Sequence, residues 1–429
     1  MLTLQTLYSQ LKSLTSFWQK DEDYPYKKKY SSKTFTSNLS FATDFGEFSN
    51  HLVKLNNSRI SFQDKDGEVW TCKTKWALIS SFTEIRNDCP VYGFTVSFNE
   101  MCEQDFYVDS EEKLDCWMGI LAQYAVLADL DSDFIILREI DSGRYGTVKL
   151  CEDLKTGEKF AVKQIKNSEL QQHRVLNQLF NEISLLRKLD HKNIIKLYRV
   201  YEDENFVSLI LEYVPHGNLL RRVLGEKVKN KEEIGLFTKN LLKVLKYIHS
   251  FGIIHRDIKL ENILMTSETG FCEFKIADFG LACYTDKTLK QKSGSPGYMA
   301  PEILRGISYS AKADIFSAGI IIYILFTSCS PFFELTQEKT IEKNLKCDIN
   351  FNIREFRSIP KDNLMFLKLL LDSDPTLRPS ADQALRILKA KKLENGKVGK
   401  KAKKEEVVVG KSRYEYSFEM LSSRFIIFK

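Results

Sequence analysis

The chain has 429 residues, of which 43% are hydrophobic and 28% are charged, as in globular proteins with room for two or three domains. The net charge of +6 is mild over this length and does not indicate a specific nucleic-acid partner. The nine cysteines form no C-x-x-C pair, so the sequence predicts neither a zinc site nor a disulfide framework.

Residues 1–30 carry no recognisable targeting pattern. They combine leucines at helical spacing with a lysine-rich run, which favours a short amphipathic helix followed by a basic segment. The most apolar run, Ala318–Phe326, is shorter than the roughly 20 residues of a membrane span and predicts a buried core helix. We therefore expect a cytoplasmic protein, with peripheral membrane placement as the open alternative.

Short alternating segments follow in residues 31–130. His51–Leu55 and Arg59–Phe62 predict a hairpin, and a later segment predicts a helix with Asp109 as its N-cap and Trp117 on its apolar face. Further predicted strands are Trp76–Ile79, Val91–Val96 and Asp105–Val108.

Antiparallel strands that end in one helix with an inward tryptophan resemble the pleckstrin-homology domain. The resemblance implies a phosphoinositide-binding module or, as the alternative, a protein-docking or autoinhibitory one. If the module binds lipid, the nearby cations are Lys27, Lys28, Lys29 and Lys33.

The most informative stretch is His255–Asn262, which places a carboxylate, a lysine and a carboxamide in one short loop. Asp257 could accept a proton from a hydroxyl, Lys259 could neutralise phosphate charge, and Asn262 could bind Mg²⁺ through its carbonyl oxygen. Sixteen residues later, Asp278-Phe279-Gly280 supplies a second oxygen ligand.

In form and order, these two motifs resemble those of the eukaryotic protein serine/threonine kinases, and the resemblance covers about residues 134–388. It implies an α+β, bilobal protein-kinase fold with a β-rich N-lobe and a helical C-lobe. A small antiparallel β-barrel or sandwich with a C-terminal helix precedes that fold. The resemblance also implies ATP and Mg²⁺ as cofactors and Ser/Thr hydroxyls of proteins as substrates. His255 is expected to have a structural role.

The same resemblance assigns the remaining site residues. Lys163 would contact the α- and β-phosphates and pair with Glu182, and Asp257, Lys259 and Asn262 would complete the catalytic set. Asn262 and Asp278 would hold the metal. The residues that would surround the nucleotide are Ile140, Gly143, Gly146, Val148, Ala161, Lys163, Leu211, Glu212, Val214, Leu264 and Asp278. Asp141 stands where the first glycine of the phosphate loop is usual, which puts nucleotide affinity in question.

The segment between Asp278 and Glu302 resembles the kinase activation segment. Ser295 would contact Asp257 and Lys259, and Arg256 would form a pocket for a phosphate, although Gln291 occupies the usual phosphorylated position. The candidate phosphorylation sites are Thr285, Thr288 and Ser293. Architectural roles fall to the Glu302–Arg378 ion pair and to Asp314, which would brace the catalytic loop.

The predicted organisation is an N-terminal helical and basic segment (1–30), a pleckstrin-homology-like domain (31–130) and a kinase domain (134–390). A flexible basic tail, rich in lysine and containing glycines, follows with a C-terminal segment (391–429). The sequence of the catalytic loop most resembles that of the calmodulin-dependent and AMP-activated branch of the kinases. Regulation by a calmodulin-like protein is therefore an open alternative. The sequence thus predicts a protein serine/threonine kinase with a regulatory or membrane-targeting N-terminal domain. The alternatives are a pseudokinase scaffold and a phosphoinositide-recruited adaptor.

Overall fold

Strands occupy much of the first half of the chain and helices most of the second. The computed structural model describes residues 17–20, 34–42, 48–56, 58–99, 102–143, 146–225, 231–285 and 289–398. These residues fall into two units. The first extends to Ile183 and includes Lys196–Tyr213, and the second comprises Ser184–Ile195 and the chain from Val214 onward.

The described strands of the first unit form one sheet in the order β1-β5-β4-β3-β2-β8-β7-β6-β9-β13-β14-β12-β11-β10. They are β1 (Gln19–Lys20), β2 (Thr34–Ala42), β3 (Phe48–Asn56), β4 (Arg59–Gln63), β5 (Val69–Lys73), β6 (Leu78–Arg86), β7 (Cys89–Asn99), β8 (Cys102–Val108), β9 (Val126–Leu127), β10 (Phe134–Gly143), β11 (Gly146–Asp153), β12 (Lys159–Lys166), β13 (Leu197–Glu202) and β14 (Phe206–Glu212). The helices are α1 (Glu111–Leu121), α2 (Leu130–Asp133), α3 (Asn167–Leu170) and α4 (His173–Lys188), the last of which continues into the second unit.

We call β1–β9 together with α1 the N-terminal β module. Alternating residues of its strands point inward, and Phe41, Phe94, Phe106 and Trp117 are fully buried at its centre. Burial of each such side chain contributes on the order of 1.5–3 kcal/mol, so this aromatic cluster is a substantial part of the module's stabilising core. The predicted hairpin is confirmed, because β3 and β4 pair through Asn56 and Arg59.

Three local predictions in this region are wrong or only partly right. The N-cap of α1 is Ser110, whose side chain accepts a hydrogen bond from the Lys113 backbone N–H at 3.3 Å, and Asp109 instead forms an ion pair with the Lys113 ammonium at 2.6 Å. Trp76 precedes β6 in a turn and does not lie in a strand. Phe17, assigned to an N-terminal helix, is buried next to β1, while residues 1–16 and 21–33 lie outside the described residues.

The second unit is mainly helical. Its helices are α5 (Leu219–Gly225), α6 (Lys231–Ser250), α7 (Pro301–Leu304), α8 (Lys312–Thr327), α9 (Gln337–Lys346), α10 (Lys361–Leu370) and α11 (Ala381–Val398), with 3-10 turns at Leu260–Asn262 and Arg354–Ser358. Its short strands are β15 (Ile253–Ile254), β16 (Ile263–Met265), β17 (Phe274–Ile276) and β18 (Cys283–Tyr284). Strand β15 pairs with β18, and β16 pairs with β17.

Helix α8 confirms the prediction of a buried core helix, because nearly all of its residues are buried. Within the described ranges, no helix has the length and apolarity needed to cross a bilayer. Helix α11 runs on to Val398, so residues 391–398, predicted to be part of a flexible tail, are helical. Residues 399–429 lie outside the described part of the chain.

Candidate active site

The loop that carries Asp257 is held from below by one buried carboxylate. Asp314, on α8, is 1% exposed and accepts the backbone N–H groups of His255 and Arg256, both at 2.9 Å. It also contacts the His249 ring at 2.8 Å. Burial alone would raise the pKa of Asp314, but these hydrogen bonds and the neighbouring histidines lower it, so the carboxylate stays charged. The loop backbone is therefore fixed before any substrate arrives.

Asp257 is oriented by three side chains. Its Oδ1 accepts a hydrogen bond from the Ser295 hydroxyl at 2.7 Å, and its Oδ2 contacts the Lys259 ammonium at 2.9 Å and the Asn262 amide at 3.0 Å. Lys259 also donates to the Ser295 hydroxyl oxygen at 2.9 Å. These bonds hold the carboxylate in one rotamer, as a group that accepts a hydroxyl proton requires.

Lys259 remains a cation in this cluster. Burial disfavours its charged form, but the Asp257 carboxylate outweighs that effect and the pKa of the ammonium lies above its ordinary value. A fixed positive charge beside Asp257 suits a site where negative charge develops on a transferred group.

His255 has the surroundings of a structural residue. Its ring is fully buried and packs edge-on against Phe279 with centroids 4.7 Å apart, and its Nδ1 accepts the Asp257 backbone N–H at 3.3 Å. Burial lowers the pKa of this histidine, which keeps the imidazole neutral. The geometry agrees with the structural role expected from the sequence.

The two residues expected to bind metal are brought close through the backbone. The Ala277 N–H donates to the Asn262 carbonyl oxygen at 2.9 Å, which places the residue before Asp278 against Asn262. The side-chain amide of Asn262 is bound to the backbone oxygen of Asp257 at 2.9 Å, so its carbonyl end points away from that contact. Asp278 is exposed and has φ +61°.

These groups fit Mg²⁺. The ion prefers hard oxygen ligands and usually takes one or two from the protein, with the remainder from phosphates and water. Among the described residues, no cluster of three or more His, Cys, Asp or Glu side chains could hold a metal without such help. Asn262 and Asp278 each offer a hard oxygen, and together they would hold the ion with oxygens of a nucleotide.

Gly294 has a role that its sequence context did not predict. This residue has φ +130°, and a Cβ there would lie 2.7 Å from the Arg256 carbonyl oxygen and 2.8 Å from the Met299 side chain. Only glycine allows the chain to approach the catalytic loop closely enough for Ser295 to reach Asp257. The Gly-Ser pair in front of a proline was the available signal.

The first unit contains the predicted lysine–glutamate pair. The Lys163 ammonium, on β12, contacts both carboxylate oxygens of Glu182, on α4, at 2.8 Å. Glu182 is 4% exposed, so the pair is shielded from water on the glutamate side. Three buried side chains of α4 pack against the sheet: Leu176, Leu179 and Ile183. This packing fixes the position of Glu182 relative to β12.

The strands bring the predicted adenine-contacting residues of the first unit together. Register places Val148 opposite Lys163 and Ala161 opposite Leu211, and Glu212 is paired with Phe160. Ile140 is half-buried on β10. The other two predicted positions, Val214 and Leu264, belong to the second unit, where Leu264 lies on β16.

The phosphate loop departs from expectation at two positions. The Asp141 carboxylate accepts the Ser142 backbone N–H at 2.9 Å, so it occupies one of the loop amides that could face a phosphate. Gly146 has a packing role, since a Cβ there would lie 2.3 Å from the Gln164 carbonyl oxygen. Gly143 pairs with Gly146 at the end of the hairpin, and residues 144–145 lie outside the described residues.

Arg256 is satisfied by neutral groups. Its guanidinium donates to the Leu281 carbonyl oxygen, to Gln291 Oε1 at 3.4 Å and to the Tyr309 hydroxyl at 3.3 Å. The predicted phosphorylation sites differ in access: Thr285 is exposed and Ser293 is 7% exposed. Thr288 lies outside the described residues.

The predicted ion pair between Glu302 and Arg378 is present. The two side chains are 0% exposed and form two bonds, at 2.7 and 3.1 Å. Arg378 also donates to the Lys312 and Asp372 carbonyl oxygens, so the buried guanidinium is well supplied with acceptors.

The fold and these two clusters define the class of protein. The sequence model described as protein kinase domain matches residues 134–387, more than half of the chain. The chain therefore belongs to the protein kinase family.

Curated relatives are protein kinases by name, and two of the following three carry serine/threonine in their names. The chain is 32% identical over 253 residues to a probable serine/threonine-protein kinase 2 of Plasmodium falciparum (isolate K1 / Thailand), covering 59% of this chain and 49% of that protein. It is 34% identical over 281 residues to the serine/threonine-protein kinase PEPKR2 of Arabidopsis thaliana, covering 64% and 57%. It is also 34% identical over 260 residues to a probable myosin light chain kinase of Dictyostelium discoideum, covering 59% and 82%. The chain thus spans about half the length of the first two relatives.

Proposed function

We propose that this protein transfers the γ-phosphoryl group of ATP to serine and threonine hydroxyls of other proteins. The observation that carries the proposal is the orientation of Asp257 by Ser295, Lys259 and Asn262 in a loop braced by Asp314. Family membership and the names of the relatives support the same reaction and substrate class.

The residues of this chain would divide the work. Asp257 would accept the hydrogen bond of the incoming hydroxyl and aim it at the phosphorus, and Lys259 would offset charge on the transferred group. Lys163, held by Glu182, would orient the α- and β-phosphates. Magnesium, when bound, would neutralise charge on the nucleotide phosphates.

The test is transfer of radioactive phosphate from γ-labelled ATP to a mixture of serine- and threonine-containing peptides. Asp257→Asn keeps the shape of the side chain and removes its charge, and we expect a loss of about 10²-fold or more in rate. Asp348→Asn, at an exposed position far along the chain, is the matched control and should transfer at the wild-type rate. Equal transfer by the wild type and Asp257→Asn would show that the transfer does not depend on Asp257 and would contradict the proposed kinase activity.

A pseudokinase scaffold is the second candidate, and Asp141 is the observation that favours it. Its carboxylate lies in the phosphate loop and already holds the Ser142 amide. A scaffold would bind nucleotide weakly and transfer no phosphate. The paired Lys163 and Glu182 and the ordered Asp257 cluster favour the enzyme.

We also propose that the N-terminal β module is pleckstrin-homology-like and regulatory. Two antiparallel meanders, β2–β5 and β6–β8, followed by α1 with its buried Trp117, support this assignment. Co-sedimentation of the full chain with phosphatidylcholine vesicles, with and without a phosphoinositide, tests its membrane-binding form, and equal recovery from both vesicles would contradict lipid recognition. A calmodulin-like regulator and a cytoplasmic location remain predictions from the sequence.

A further inference from the structure

The N-terminal β module and the strands of the kinase N-lobe share one sheet through β9. This strand pairs in parallel with β6 on one side, with Leu127 opposite Ile79, and with β13 on the other, with Leu127 opposite Tyr201. The Val126 and Ala128 N–H groups donate to carbonyl oxygens of the β6 side at 2.9 Å. The pairing of β9 with β13 therefore joins the module to the strand next to β14.

The segment that follows β9 is also held in place, by side-chain hydrogen bonds to β13. The Asp133 carboxylate accepts hydrogen bonds from Arg199, at 2.9 Å, and from the Tyr201 hydroxyl, and both partners lie on β13. A second ion pair, Lys155 with Asp115 at 2.6 Å, is half exposed and contributes little. The module thus has a defined position over α4.

Trp76 uses that position to contact the helix that carries Glu182. Its indole is 1% exposed and stacks on Phe180 of α4, with ring centroids 4.3 Å apart and an interplanar angle of 23°. The backbone of Trp76 has φ +69°, which a large side chain rarely adopts, and its N–H donates to the Tyr124 carbonyl oxygen at 3.2 Å. Trp76 and Val126 belong to the same buried cluster as Leu176 and Leu179 of α4.

Phe180 and Glu182 lie on opposite sides of α4. Two residues correspond to about 200° of rotation in an α-helix, so Phe180 faces the N-terminal β module while Glu182 faces Lys163. The helix is therefore held from one side by an indole ring and from the other by an ion pair. Rotation or withdrawal of α4 would have to break the stacking contact to separate Glu182 from Lys163.

We propose that Trp76 is a positioning residue for phosphoryl transfer, through which the N-terminal β module holds α4 with Glu182 paired to Lys163. The inference rests on the proposed kinase function and adds to it the element that keeps the site assembled. A signal that loosens the module would reduce catalysis without touching any residue that contacts nucleotide or substrate.

The experiment compares Trp76→Leu with Trp117→Leu. Both replace a buried tryptophan of the N-terminal β module, but Trp117 contacts Phe35 and Phe94 within the module and has no ring contact with α4. At a temperature where both variants remain folded, we expect Trp76→Leu to lower kcat by about tenfold and Trp117→Leu by less than about twofold. Trp76→Phe, which can still stack, should restore most of the activity.

A double-mutant cycle tests whether Trp76 acts through the ion pair. In a Glu182→Gln background, Trp76→Leu should lower kcat by less than about twofold further, because the pair that it protects is already absent. An equal loss in both backgrounds, or equal losses for Trp76→Leu and Trp117→Leu, would overturn the proposal. Phe180→Leu removes the same contact from the helix side, so it replaces Trp76→Leu if that variant fails to fold.

Hydrogen exchange separates this inference from the proposed function, because it requires no catalysis. Amides of α4 should exchange faster in Trp76→Leu than in Trp117→Leu and the wild type. A wild type that transfers no phosphate would end the proposed function but leave this comparison intact. Unchanged exchange in α4 would refute the positioning role whether or not the protein is active.

Discussion

At the scale of single residues, the contacts around Asp257 restrict the rotamers of its side chain. A carboxylate on a loop can adopt several rotamers, and only some of them aim an oxygen at an incoming hydroxyl. Ser295 occupies one oxygen of Asp257, and Lys259 and Asn262 share the other. Ser295 contacts both Asp257 and Lys259, so its hydroxyl connects the carboxylate to the cation.

Ser295→Ala should therefore lower kcat by about tenfold to 100-fold, since hydrogen bonds to charged groups contribute about 1.5–3 kcal/mol. The KM for ATP should change little, because the hydroxyl serves Asp257 rather than the nucleotide. Ser295→Thr keeps the hydroxyl and should retain most of the activity. A kcat for Ser295→Ala equal to that of the wild type would show that Lys259 and Asn262 suffice to orient the base.

The effect of Asp141 on ATP binding can be measured by substitution. Its negative charge opposes nucleotide phosphates, and its side chain holds the Ser142 amide. Asp141→Asn removes the charge and keeps the hydrogen-bond acceptor, whereas Asp141→Gly removes both. We expect the KM for ATP to fall in both variants and to fall further for Asp141→Gly, with kcat changed by less than about threefold. A higher KM in Asp141→Asn would mean that the carboxylate helps to bind nucleotide.

At the scale of elements, the activation segment is held by neutral contacts. In the described part of the segment, Arg256 donates to the Leu281 carbonyl oxygen and to Gln291, and the Tyr309 hydroxyl donates to the Gln291 carbonyl oxygen at 2.9 Å. An arginine with such partners does not need a phosphate to be satisfied. The segment can therefore hold its position without prior phosphorylation.

Phosphatase treatment of the purified protein should leave kcat within about twofold of the untreated value, because Arg256 already has acceptors. Gln291→Ala removes one of them and should lower kcat by about fivefold, the equivalent of about 1 kcal/mol. Phosphate content measured by mass spectrometry confirms that the treatment was complete. A loss of tenfold or more on phosphatase treatment (about 1.4 kcal/mol in the barrier) would show that phosphorylation is required, with Thr285, Thr288 and Ser293 as the candidate sites.

Two elements show where local patterns were insufficient. Asp109 and Ser110 are both good N-cap residues, and in the folded chain it is Ser110 that has the extended backbone of an N-cap and accepts the Lys113 N–H. Helix α11 continues to Val398 through residues whose lysines and glycines suggested a flexible tail. In both cases the residue types permitted more than one structure.

At the scale of the whole molecule, the sheet of the first unit is the feature that no local pattern predicted. The two residues of β9 are too few to be recognised as a strand, yet they join β6 to β13. In the sequence, residues 31–130 and the kinase domain are separate regions joined by a short linker that contains Asp129, Asp131 and Asp133. Asp133 of that linker is bound to Arg199 and Tyr201, so the linker is part of the packed structure.

By itself, the sequence determined which residues form the two polar clusters. The resemblance of the motifs around Lys163, Glu182, Asp257, Asn262 and Asp278 to those of protein kinases predicted the ion pair and the contacts within the catalytic loop, and both are present. The buried Glu302–Arg378 pair followed from the same reasoning.

Only the tertiary structure decided what holds those groups in place. The stacking of Trp76 on Phe180 joins residues more than a hundred positions apart, and the close approach of Gly294 to Arg256 depends on two segments that meet in space. Contacts of this kind leave no periodic signal, since each side chain looks like an ordinary core or turn residue in its own stretch of sequence. Their consequence for function appears only when the distances between elements are known.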